Sequence, residues 1–141
     1  MRLHLRRVRP EEGSGRDLPG WRKQSFVLPY RGGSIWFEHL DGLGPHASLA
    51  REKLAVDRPA LLSPSGPGLV CVVLNETRVD GALADALTDA LLRGGKRFRR
   101  VCVVGADFRT RRRIRRAAGA FPLAFLPGLE QAKEWLIPAG Q

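Results

Sequence analysis

Leu69-Val70-Cys71-Val72-Val73-Leu74-Asn75, then Asp80 to Leu92, then Arg99-Arg100-Val101-Cys102-Val103-Val104-Gly105: two unbroken apolar runs joined by a helix-period segment decide the fold. A short apolar run without alternation is what a strand covered on both faces requires, and such burial is typical of parallel sheets. Between the runs, Leu83, Leu87 and Leu91 recur at four-residue spacing behind Asp80, a residue type that caps helix N-termini, and Gly94-Gly95 closes the segment. Strand, helix and strand in that order predict a βαβ unit with a right-handed crossover.

The same alternation continues in both directions. Asp107 to Ala118 predicts a helix capped by Asp107 and stopped by Gly119, Pro122 to Leu126 a further strand, and Gly128 to Leu136 a last helix. Upstream, Pro45 to Leu62 reads as helical through Leu49, Lys53, Val56 and the Leu61-Leu62 pair, with Pro59 kinking or restarting it. Ser25 to Tyr30 and Ser34 to Leu40 flank Arg31-Gly32-Gly33, where the Gly-Gly pair is expected to supply the positive φ of a tight hairpin. The expectation is an α/β domain: a mixed, mostly parallel sheet of about five strands, opened by an antiparallel hairpin and carrying four helices.

At 141 residues the chain suits one domain that buries roughly two-thirds of its unfolded surface, enough for a core without disulfides or metals. Residues 1 to 23, with Arg-Arg, Glu-Glu and Gly-Ser-Gly, read as a flexible basic arm, residues 24 to 137 as the domain, and 138 to 141 as a tail. No apolar run approaches the ~20 residues that span a bilayer, and the basic start leads into Arg-Pro-Glu-Glu rather than a signal-like apolar stretch. A cytoplasmic location is expected. Cys71 and Cys102 each sit inside a strand run, where a free thiol is a small buried hydrophobe, in keeping with a reducing compartment.

Charge is distributed unevenly. The whole net charge of +10 falls within residues 93 to 116, where eleven Lys and Arg face a single acid, Asp107; the remainder is balanced. At about 100° per residue, Ile114 points inward with Thr110, Ala117 and Ala118 near it, while Arg109, Arg112, Arg113, Arg115 and Arg116 occupy the opposite arc. Most charge runs are simply a solvated helix face. Here there is no acid at i ± 4, so the arginines repel one another by a few tenths of a kcal/mol per pair, and that density favours a bound polyanion. Arg97 and Arg99 extend the candidate anion site, because guanidinium forks grip phosphate through paired hydrogen bonds. Phe98 and Phe108 are expected in the core, which leaves little aromatic interleaving for stacked bases and no base-specific readout. An anionic lipid surface ranks lower, since the helix lacks an apolar face to insert.

Catalytic patterns are weak. Gly94-Gly95-Lys96 lacks the rest of a P-loop, Gly42-Leu43-Gly44 lacks the third glycine of a dinucleotide fingerprint, and Gly-x-Ser-x-Gly is absent. Glu38, His39, Asp41 and His46 can be drawn as a metal cluster, but their spacing matches no ligand pattern. Asp80, Asp85 and Asp89 spread around their helix rather than pairing. No cofactor, no metal and no enzymatic activity are expected.

The element order over residues 25 to 137, the strand runs quoted above, and the ending Phe121-Pro122-Leu123-Ala124-Phe125-Leu126 with Ala132-Lys133-Glu134-Trp135-Leu136 resemble the STAS and SpoIIAA-like domains of anti-sigma factor antagonists. The resemblance implies a non-enzymatic regulatory or scaffold module with a protein partner. In such antagonists a phosphorylatable serine opens the helix after the third strand. The matching turn here reads Thr77-Arg78-Val79-Asp80-Gly81-Ala82-Leu83 and has no serine. What remains is a partner-facing turn at Thr77, Arg78, Asp80 and Gly81, with Thr77 a weak substitute for the missing hydroxyl. Two functions follow as expectations: a regulatory module whose arginine face holds an anionic partner, or an accessory protein binding RNA or DNA through Arg109 to Arg116.

Overall fold

The structure, a computed structural model, describes residues 15 to 139. A short helix α1 (Pro19–Arg22) leads into a hairpin of β1 (Phe26–Tyr30) and β2 (Gly33–His39). Helix α2 (Ala47–Leu61), β3 (Leu69–Val73), α3 (Gly81–Gly94), a 3-10 turn (Gly95–Arg97), β4 (Arg100–Val104), α4 (Phe108–Ala118), β5 (Leu123–Leu126) and α5 (Leu129–Leu136) follow. The five strands lie side by side in chain order; β1 is antiparallel to β2, and β2 through β5 run parallel. The expected α/β class and mixed sheet are therefore present, with α1 added to the four expected helices.

Sequential order has a packing consequence. Parallel neighbours joined in one direction carry their crossover helices on the same side of a sheet. Trp36, Val70, Val72, Val101 and Val103 meet α2, α3 and α4 in one cluster, while the alternate residues Ile35, Phe37, Cys71, Val73, Cys102 and Val104 meet α5 in another. Apolar side chains are thus needed at every position of β3 and at positions 101 to 104 of β4, which explains why those strands read as unbroken runs. Cys71 and Cys102 are register neighbours, free and fully buried, and the contact with Cys102, together with burial, pushes the Cys71 thiol up.

Two local expectations, in the hairpin and in α2, are corrected. The hairpin turn is Arg31-Gly32, closed by the Tyr30 and Gly33 pair; positive φ falls on Arg31 (49°) and Gly32 (81°), not on the two glycines. Both central residues of this turn type are left-handed, and Arg31 is held there by bonds to Glu134 Oε1 (3.1 Å) and the Ile137 carbonyl (3.0 Å). In α2, Val56 is 79% exposed while Lys53 is only 9% exposed. The helix passes through Pro59 to Leu61 without restarting. Of the expected N-terminal arm, residues 1 to 14 lie outside the described residues, and the remainder is docked: Gly20 is buried and Trp21 packs on the core.

Candidate anion-binding face

Helix α4 begins where β4 ends. Asp107 caps it as expected, Oδ1 accepting from the Thr110 amide at 2.8 Å, and that bond and the Thr110 hydroxyl hold its carboxyl below the usual range. The cap sets the rotation of the helix: Thr110 and Ile114 are buried against the sheet, and all six α4 arginines are exposed. Ala117, expected on the inner side, is exposed as well. The outer side, with Asp85 of α3, forms an open depression of about 580 Å³ lined by Arg109, Arg112, Arg113, Arg116 and Ala117.

The arginines in and around this depression fall into two groups. Arg113 reaches across to α3 and binds Asp85 through both forks, Nε to Oδ1 and Nη2 to Oδ2 at 2.9 Å each. That hydrogen bond holds the Asp85 carboxyl below, and the Arg113 guanidinium above, their ordinary ranges. Gly81 makes room for it: a Cβ there would stand 3.3 Å from the Arg113 guanidinium. Arg113, expected among the anion ligands, thus lines the depression while bonded to Asp85. Arg109, Arg112 and Arg116 make no hydrogen bond or ion pair with another described residue. Arg115 lies with its guanidinium 5.2 Å from the Phe125 ring.

Two members of the expected anion set are elsewhere. Arg97 donates from Nη2 to the Leu61 carbonyl at 2.7 Å and stacks on Phe98, so it closes the C-terminus of α2. Arg99 lines a separate depression with Arg31 and Arg100 near the start of β4. Conversely, Phe108 does not pack in the core. Its ring is 61% exposed, with the Arg111 and Arg112 guanidinium carbons 6.0 and 5.6 Å from its centroid. Helical phase carried this signal: Phe108 is six residues from Ile114, a rotation of about 120° that turns it outward.

The expected partner turn is mostly occupied by the fold itself. Thr77 Oγ1 donates to the Leu40 carbonyl at 2.6 Å and accepts from the Leu43 amide at 3.1 Å, tying the loop after β2 to the end of β3. Asp80 accepts from the Leu83 amide at 2.8 Å, a cap as expected. Arg78 is exposed beside Gly44 and Pro45.

Of the candidate metal ligands, Glu38, His39 and Asp41 belong to two small networks. Glu38 is fully buried, Oε1 accepting from Trp36 Nε1 at 2.8 Å; burial, with Asp57 beside it, pushes its carboxyl up to about 9. Ser25 Oγ donates to Asp57 at 2.8 Å, and Lys53 Nζ donates to the Gly20 carbonyl at 2.7 Å, fastening α1 to α2. His39 Nδ1 lies 2.8 Å from Asp41 Oδ1 while Lys23 holds Oδ2. For Asp41, burial alone would raise the carboxyl, but His39 and Lys23 outweigh it and bring it down to about 2. Among the described residues, no group of three or more His, Cys, Asp or Glu is arranged to hold a metal ion. No described helix is long and apolar enough to cross a membrane.

No family model matches the chain, and comparisons with curated proteins and with solved structures return no match, so nothing in them identifies a STAS domain.

Proposed function

We propose that this chain is a non-catalytic binding module whose α4 face grips the phosphate backbone of a nucleic acid. One observation carries the reading: Arg109, Arg112 and Arg116 line a single open depression with no ion pair among the described residues, while Arg31, Arg93, Arg97, Arg100 and Arg113 are each bonded. Uncommitted guanidinium groups crowded on one helix face repel each other, and a chain of phosphates relieves that repulsion along its length. Binding of this kind releases counterions and falls steeply with salt.

The test is a salt titration of the wild type and an Arg109/Arg112/Arg116→Gln variant against a labelled RNA, a DNA duplex and anionic vesicles. Each lost phosphate contact lowers the log-log salt slope by about 0.9 units on duplex and about 0.7 on single strands, whatever the sequence. Unfolding midpoints of the two proteins should agree, because none of the three side chains is buried. Equal, negligible binding by both proteins to all three probes overturns the proposal and moves the regulatory module with a protein partner into first place.

A further inference from the structure

Phe108 stands apart among the described aromatic residues of the basic stretch. Phe98, ten positions earlier, is 1% exposed and belongs to the core; Phe108 opens α4 with most of its ring in solvent. A lone exposed phenylalanine is ordinary on a protein surface. This one is framed by charge. Arg111 and Arg112 place guanidinium groups against the ring, and Arg112 also lines the depression that holds Arg109 and Arg116. Phe108, Arg112 and Arg116 follow one another at four-residue steps, a rise of about 6 Å each along the helix. An aromatic face therefore heads a short file of guanidinium groups that have no acidic partner among the described residues.

We infer that the face takes its nucleic acid as a single strand, with a base stacked on Phe108 between the flanking guanidiniums and the neighbouring phosphates on Arg112, Arg116 and Arg109. The inference rests on the nucleic-acid reading above and adds the strandedness of the ligand. Every base has a π-face, so a ring and two planar cations accept any base without reading its edge, and a duplex hides those faces in its stack. Neutral Phe108 contributes contact but no counterion release, whereas the arginines contribute both; the two roles can be measured separately.

The experiment compares wild type, Phe108→Ala, Phe108→Trp and Arg112→Gln/Arg116→Gln by fluorescence anisotropy. The probes are a labelled uridine homopolymer RNA, a thymidine homopolymer DNA, a DNA duplex and phosphatidylserine vesicles, each over a range of salt. Phe108→Ala should weaken both single strands about tenfold or more with an unchanged salt slope, and leave the duplex unaltered. Phe108→Trp should bind single strands as well as wild type or better. Arg112→Gln/Arg116→Gln should lower the slope on every nucleic acid. Comparing RNA with DNA then shows which sugar the site prefers. If Phe108→Ala leaves single-strand affinity intact, or weakens duplex equally, while the arginine variant still lowers the slope, stacking is overturned and the phosphate-binding reading stands. Negligible wild-type binding to every nucleic acid removes both, and vesicle binding that depends on Phe108 would reassign the ring to membrane insertion. Thermal unfolding of Phe108→Ala should match wild type, since the ring is not part of the core.

Discussion

The α4 face and the polar cluster beneath α1 and α2 are both rich in charge, yet they are organised oppositely. On α4, charge of one sign is exposed and much of it has no acidic counterpart among the described residues. Around Lys53 the charges are of both signs, with Lys53 and Asp41 buried and Asp57 half-buried, and each is bonded to a neighbour or the backbone: Lys53 holds Gly20, Asp57 takes Ser25, and Asp41 sits between His39 and the half-exposed Lys23. Buried charges persist only when paired, so the second region is a structural fastening; exposed like charges add little to folding and are free to meet a ligand. The two regions should therefore respond oppositely to mutation.

The largest effect is expected at Lys53. Lys53→Met keeps the apolar stem but leaves the buried Gly20 carbonyl without its donor and removes a positive charge near Asp41 and Asp57, at a cost of about 2–3 kcal/mol in urea unfolding. Arg112→Met on α4 should stay within about 0.5 kcal/mol. Similar losses at the two sites would break the distinction.

Next comes pH. The Glu38 carboxyl is raised from 4.5 to about 9, so it favours folding most below about pH 4.5, and that contribution fades as pH climbs toward 9. Asp41 works in the other direction: brought down from 3.8 to about 2, it stabilises above pH 4 and is lost as acid approaches pH 2. Glu38→Gln keeps the acceptor for Trp36 and offers a permanent donor toward Asp57. Its unfolding free energy should exceed wild type by about 1–2 kcal/mol near pH 9, with the alkaline decline flattened. An unchanged alkaline slope would mean that Glu38 is ionised in the fold.

A smaller effect tests the turn before α3. Asp80→Ala should cost about 1 kcal/mol and Asp80→Asn under about 0.5, because both native and amide side chains accept from the Leu83 amide. A selective loss of partner binding in Asp80→Asn would mark the carboxylate as more than a cap.

What was legible in the sequence was what neighbours along the chain determine. The apolar runs at 69–74 and 100–104 had to be doubly covered strands, and the caps at Asp80 and Asp107 act on amides three residues away. Tertiary neighbours were not legible. The periodic face through Leu49 turned Lys53 inward, but nothing local shows that its ammonium meets a carbonyl 33 residues earlier. Arg113 looked like its neighbours until α3 was placed beside α4. Arg97 looked like part of the basic stretch until the end of α2 arrived 36 residues from it. Phe108 is the exception: its helical phase, about 120° from Ile114, turns it outward without reference to any tertiary neighbour.

The smallest effect on folding, at the boundary between the two groups of arginines, discriminates most sharply. Arg113 is held by Asp85 across the top of α3, in a pair more than half exposed on both sides. Exposed pairs contribute about 0–1 kcal/mol, so Asp85→Asn should shift the unfolding midpoint only slightly. The binding consequence is larger. Removing the carboxylate deletes a negative charge from the rim of the depression and releases Arg113 toward Arg109, Arg112 and Arg116. If phosphates occupy that depression, Asp85→Asn should bind RNA more tightly than wild type, with a salt slope steeper by about 0.7 units, one further contact on a single strand. Asp85→Asn combined with Arg113→Gln should return the slope to the wild-type value. An Asp85→Asn protein with unaltered slope and affinity would show that the ligand does not enter this depression, and that the exposed arginines of α4 serve only as solvated surface.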